Sequence, residues 1–250
     1  KILSLAQNNI SFGKFVFEEN VVTSKQSQLE YTLYFNDEKS LYILKKNISN
    51  DSTTTGNNNF LKKFIKNSQS NNKTPFYFRQ KNGKKLYYTG TTTLKQYVVM
   101  DSTISFNWKI HEKKKMIGNF NCQKATSLYR GRDYTAWFAE EIPVDYGPRK
   151  YHGLPGLIIE IYDKDGKYHS RLKSASISSK YDKIDKILNE ESIETKNYIT
   201  YNQFLLNQCS DAKEFEAIIK SKLPRNISQF NVTNIGGRKD NIEIVDFECD

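Results

Sequence analysis

Between residues 28 and 35 the chain reads QLEYTLYF, with Leu29, Tyr31, Leu33 and Phe35 alternating with Gln28, Glu30 and Thr32. A period of two predicts a half-buried β-strand. Residues 12–17 (FGKFVF) have the same character, and 40–44 follow the turn Asn36-Asp37-Glu38-Lys39 as a hairpin partner. Asn82-Gly83 between two aromatic runs predicts another hairpin, because both residues tolerate the positive φ that a tight β-turn requires. Further strands are expected at 96–100, 105–110, 116–129 and 134–138. Residues 157–163 are expected to pair with 167–176 across Asp165-Gly166.

The period changes near the end of the chain. Residues 201–207 and 211–222 read as two helices, the second opened by Asp211 and Glu214 as a capping box. Ala212, Phe215, Ile218 and Ile219 form its apolar stripe, and Pro224 stops it. A last strand is expected at 241–247. Residues 46–74 are a polar loop rich in Asn, Ser, Thr and Lys, interrupted by FLKKFIK (60–66) at the spacing of a short helix. Hairpins followed by helices predict an α+β fold, mostly antiparallel β: a large curved sheet or half-barrel with a few C-terminal helices. No linker divides it, so residues 1–250 are expected to form a single domain.

Composition adds limited detail. Aromatic residues make up 13% of the chain, which suits packing across strands. The net charge of +10 comes from short basic runs such as Lys84-Lys85 and Lys113-Lys114-Lys115, which are scattered and suit solvated faces and loop ends. No nucleic-acid motif accompanies them, so no nucleic-acid partner is expected. Cys122, Cys209 and Cys249 are odd in number and lack metal-ligand spacing, so zinc is not expected, nor is any other cofactor. One disulfide would leave any one of the three free. No stretch reaches the ~20 apolar residues of a membrane-spanning helix. Ser4-Leu5-Ala6 before a polar residue has the form of a signal-peptide cleavage site, so residues 1–11 are expected to be a signal-peptide remnant or N-terminal arm.

The densest chemistry lies between Asn121 and Asp163. In GRDYTAWF, Gly131 permits a bend, and Tyr134, Ala136 and Phe138 face away from Thr135 and Trp137. Arg130 and Arg132, close to Trp137, are candidates to bind a carboxylate or phosphate; a salt bridge to Glu140 or Glu141 is the structural alternative. Tyr146-Gly147-Pro148 marks a turn. In GLPGLI (153–158), Pro155-Gly156 fits the centre of a type II turn, with Gly156 at positive φ. Gly153, Pro155, Gly156, Gly147 and Pro148 are therefore read as structural motif residues. Cys122 and His152 are the thiol and imidazole of the region, the minimum for a nucleophile and its base. Buried cysteines are mostly inert, so the alternative is a core thiol and a loop imidazole. His111 and His169 read as isolated surface positions.

These motifs, in the order NCQKAT, GRDYTAWFAEEIPVDYGP and GLPGLI, resemble the GLPGLI family of the Bacteroidetes lineage. The resemblance covers Trp108 to about Asp163. It implies a secreted or cell-envelope protein of a Gram-negative bacterium: periplasmic, outer-membrane-associated or released. It supplies no reaction and no catalytic residue. Cys122, Arg130, Arg132, Trp137, Pro143, Gly147, Pro148, Gly153, Pro155 and Gly156 match the family pattern as motif positions, and His152 lies outside its core.

Two functions follow as expectations. The first is a β-rich binding or accessory module for a peptide, a lipid or an outer-membrane receptor component, held on a sheet face or edge. The second is a thiol-dependent hydrolase or peptidase acting on exported peptides through Cys122.

Overall fold

The computed structural model describes residues 12–22, 26–48, 74–81, 84–178, 187–188 and 197–222. The expectations for residues 1–11, for the helix at 60–66 and for the strand at 241–247 fall outside these. The described elements are β1 (Phe12–Val22), β2 (Gln26–Asn36), β3 (Lys39–Asn47), β4 (Phe76–Gln80), β5 (Leu86–Thr91), β6 (Gln96–Asp101), β7 (Lys109–Ile117), β8 (Phe120–Tyr129), β9 (Arg132–Ala139), β10 (Leu157–Asp163), β11 (Tyr168–Ser178), β12 (Ile199–Thr200) and α1 (Tyr201–Lys222).

The twelve described strands form one sheet in the order β12-β6-β5-β4-β3-β2-β1-β11-β10-β9-β8-β7. All pairs are antiparallel except β12 with β6. Among the described residues the architecture is mostly β, a large open and uncurled sheet with one C-terminal helix; the expected curvature and further helices are not confirmed. Closure would require β7 to meet β12, which is two residues long. The free edge of β7 also carries Lys113 and Lys114 and a register shift between Ile110 and Lys114, both features that discourage further pairing.

Three expectations differ in detail. Residues 105–108 are not strand: Phe106 and Trp108 cover the cluster of Tyr129, Tyr134, Tyr151 and Ile158 from a connecting segment. The turn that separates β7 from β8 is Gly118-Asn119, with Gly118 at φ 58°. The two expected C-terminal helices are one, because no Gly or Pro interrupts residues 207–211. Asp211 consequently lies inside the helix and is buried. Instead of capping, it accepts hydrogen bonds from Thr92 and from the Tyr97 hydroxyl (3.2 Å), tying α1 to the β5–β6 turn.

The core has three parts. Phe15, Phe17, Tyr31, Leu33, Phe35 and Tyr42 from β1–β3 pack with Trp137, Leu157 and Ile159 from β9–β10. Tyr134, Ala136, Phe138, Ile158 and Ile161 form a second cluster, with Tyr151 and Leu154. Trp137 thus faces away from Tyr134, Ala136 and Phe138, as strand alternation requires. β9 and β10 are covered on both sides, which explains the consecutive apolar residues Leu157, Ile158 and Ile159 in β10. A third cluster places Leu188 against Tyr34, Leu41, Ile43, Phe76 and Phe78.

Candidate functional site

The motif connection between β9 and β10 (residues 140–156) is clamped to one sheet face. Arg149 donates through Nε (2.9 Å) and Nη2 (2.7 Å) to Oε2 of Glu19 on β1. Oε1 of the same carboxylate accepts from the hydroxyls of Tyr42 (2.7 Å) and Tyr168 (2.9 Å). The Glu19 side chain is fully buried and that of Arg149 is 11% exposed. The guanidinium also lies against the rings of Tyr31, Tyr77 and Tyr168. Arg149 takes φ 50°, a conformation that side-chain residues avoid unless contacts hold them there. Two further ties support the clamp: Arg79 on β4 reaches the Asp145 carboxylate (3.1 Å), and Trp108 Nε1 donates to the His152 carbonyl (2.8 Å). Next in the chain, Lys150 is buried over the rings of Tyr129 and Tyr151, where burial and the nearby Arg130 pull its pKa well below that of an ordinary lysine.

The motif glycines act differently from the expected type II turn. Gly153, at φ 90°, takes the positive dihedral and Gly156 does not. A Cβ on Gly156 would stand 2.3 Å from the Ala139 carbonyl oxygen, so this glycine is required by close backbone approach. Gly147 is crowded in the same way, by Ile158 and the Tyr151 carbonyl at 2.8 Å.

The candidate binding arginines go to separate places. Arg130 and Gly131, both at positive φ, form the two-residue turn between β8 and β9. Arg130 donates to the buried Asp101 (2.7 Å) and its guanidinium lies 3.9 Å from the Tyr201 ring centroid. Arg132 donates to Asp163 (2.8 Å) and is itself buried. Neither arginine pairs with Glu140 or Glu141 among the described ion pairs. Trp137 is buried beneath the Lys115 ammonium, 4.2 Å from its ring centroid.

Cys122 and His152 belong to different surroundings. Cys122 is fully buried in the first cluster, its Sγ facing the Phe120 carbonyl (3.6 Å). His152 packs against Phe106, its Nδ1 bonded to the Lys150 carbonyl (2.8 Å), and burial followed by Arg79 lowers its pKa. No described contact joins the two. Burial, then the charge of Glu141, pushes the Cys122 thiol up to about 12. We therefore expect no reaction of Cys122 with iodoacetamide in native protein at neutral pH, and full reaction after unfolding, as read by mass spectrometry. Cys209 is disulfide-bonded, and among the described residues Cys122 is free.

The opposite face carries an open groove of about 1030 Å³. Its floor is a row that crosses neighbouring strands: Lys109, Thr126, Thr135, Tyr162, His169 and Asn20 are successive register partners from β7 to β1. Asn20 neighbours Glu19, so strand alternation puts this row away from the clamp. Beside it lies a charged cluster. Glu160 is buried and accepts from His169 Nε2 (2.9 Å) and from Lys115, with Arg171 at 3.8 Å. Burial raises the Glu160 pKa, but the bonds from His169 and Lys115 outweigh it and hold the carboxyl at about 2. A depressed acid contributes stability that is complete above its unfolded value of 4.5 and disappears as the pH falls through about 2. Glu160→Gln is therefore expected to flatten the acid limb of a stability profile between these values, measured by urea denaturation. Among the described residues no group of three or more His, Cys, Asp or Glu is placed to hold a metal.

Sequence reasoning missed Glu19, Arg149 and the Tyr162–His169 row. One signal for Glu19 was present: it continues the Phe15, Phe17 alternation into the core.

No helix among the described residues is long and apolar enough to cross a membrane. Against known proteins, a family model described as a protein of unknown function (Porph_ging) matches residues 129–160, which include β9, the clamped connection and the start of β10. No curated protein matches the chain. Among solved structures, PNGF-II in a C2 crystal form is similar at a TM-score of 0.50 and 15% identity, over 77% of this chain and 32% of that one. An uncharacterized conserved protein from Thermus thermophilus gives a TM-score of 0.38 at 8% identity, over 80% of this chain and 96% of that one. The chain spans about a third of PNGF-II, and the likeness is one of fold.

Proposed function

We propose that this chain is a secreted or envelope-associated binding or accessory module of the GLPGLI type, which holds its ligand in the groove across β8, β9, β10, β11 and β1. The groove itself carries the reading: an open space of about 1030 Å³ on a rigid sheet, with half-exposed polar and aromatic side chains as its floor. The clamped motif connection serves the scaffold from the other face. An edge-bound peptide strand fits less well, since β7 is guarded by lysines and a register shift. An acyl chain is disfavoured by Lys109, Asp133 and Lys164 among the lining residues. The disulfide at Cys209 suits an oxidising compartment outside the cytosol. Thiol hydrolysis finds little support in a buried Cys122 with its pKa at about 12.

The test is site-specific photo-crosslinking in cell-envelope extract. A diazirine side chain at Thr135, in the groove, is expected to give an adduct, and one at the exposed Lys46 on β3 is not. Equal labelling at both positions, or none at Thr135, would remove the groove from the account.

A further inference from the structure

We infer that the groove is a saccharide-chain site, an inference that rests on the binding reading above and names the chemistry of its ligand. The floor row crosses five strand-to-strand steps, and neighbouring strands lie ~4.8 Å apart. Its side chains therefore present a hydroxyl, amide, phenol, imidazole or ammonium at each step, on a line perpendicular to the strands. The backbone beneath is already paired in the sheet, so a ligand on this face must be read by side chains alone. That disfavours an extended peptide, whose main recognition mode on a sheet is backbone pairing at an edge. The charges of the lining are of both signs: Lys109 and Lys164 stand with Asp133 and Asp163, and Arg132 already neutralises Asp163. With that pair neutral, two lysines stand against Asp133, too small an excess to hold a polyanion, and the polar surface is too large for a lipid.

What remains is a neutral chain rich in hydroxyls. Thr126, Thr135, Asn20 and His169 can each donate to or accept from such groups. Tyr162, partly exposed and edge-on to His169 with ring centroids 5.7 Å apart, supplies an aromatic surface for the C–H face of a sugar ring.

The experiment titrates the folded chain with maltohexaose, cellohexaose and chitohexaose, and with hexa-alanine and hexalysine as peptide controls, following amide shifts by NMR. At least one saccharide is expected to saturate, with shifts confined to β7–β11 and β1. Tyr162→Ala is expected to weaken it at least tenfold. Thr135→Val, nearly isosteric and thus safe for folding, is expected to weaken it severalfold. Binding of a peptide and of no saccharide, or of nothing, overturns the inference. If the Thr135 crosslink still forms in that case, the groove remains a binding site and only its ligand class was misjudged. If the crosslink is also absent, both readings fail.

Discussion

Replacing Arg149 with methionine is expected to destabilise the protein by about 3–5 kcal/mol, because removal of one partner leaves the other charge buried and uncompensated. The pair meets the conditions for a cost of this size. Glu19 is fully enclosed and all its described partners come from Arg149 and two tyrosine hydroxyls. Solvent cannot replace the guanidinium without opening the layer of Tyr31, Tyr77 and Tyr168 that surrounds it. Urea denaturation of wild type and variant measures the loss. A change below about 1 kcal/mol would place the pair in the class of surface ion pairs and refute the clamp. Arg149→Gly adds a second reading. It removes the same charge but relieves the φ 50° conformation, so it is expected to be less harmful than methionine by about 1 kcal/mol.

Gly156→Ala is expected to cost about 3 kcal/mol, at the upper end for overpacking. The added Cβ would lie 2.3 Å from the Ala139 oxygen, 2.6 Å from its carbonyl carbon and 2.9 Å from the Glu140 Cα. All three are backbone atoms, so no rotamer change relieves the clash. Ala139 is also held on both sides, by Leu157 of β10 and Cys122 of β8. Gly118→Ala is the control: its φ of 58° is unusual, unlike that of Gly156, but nothing lies within 4 Å of the new methyl. It is expected to cost about 1 kcal/mol, the penalty of conformation alone. Thermal or chemical denaturation that ranks the two variants in the opposite order would show that the motif glycine serves a turn rather than a close approach.

The strands were legible because their side chains face an apolar core on one side, so period two appears in the residues themselves, as in Leu29, Tyr31, Leu33 and Phe35. The hairpin at Asp165-Gly166 was legible from its turn chemistry, and it already implied that Tyr162 and His169 would sit near one another. It could not reveal that Asn20 completes the row, because the β1–β11 pairing joins segments about 150 residues apart in sequence. Arg149 was illegible for another reason. It sits in a connection with no periodicity, and its role is set by Glu19 and three tyrosines from distant strands. Asp211 misled because a carboxylate three residues before Glu214 is a local cue for a helix start, and tertiary contacts with Thr92 and Tyr97 overrode it. The two arginines beside Gly131 were read together as candidates to bind an anion. The tight turn between them sends each to its own carboxylate.

The clamp has a direct test in a double-mutant cycle on Glu19→Gln and Arg149→Met, with unfolding free energies from urea denaturation. If the motif connection is fixed to the sheet through this pair, the two losses will be strongly non-additive, with a coupling of at least about 1.5 kcal/mol. Additivity within about 0.5 kcal/mol would mean that Glu19 and Arg149 act independently and that the connection is held by something else.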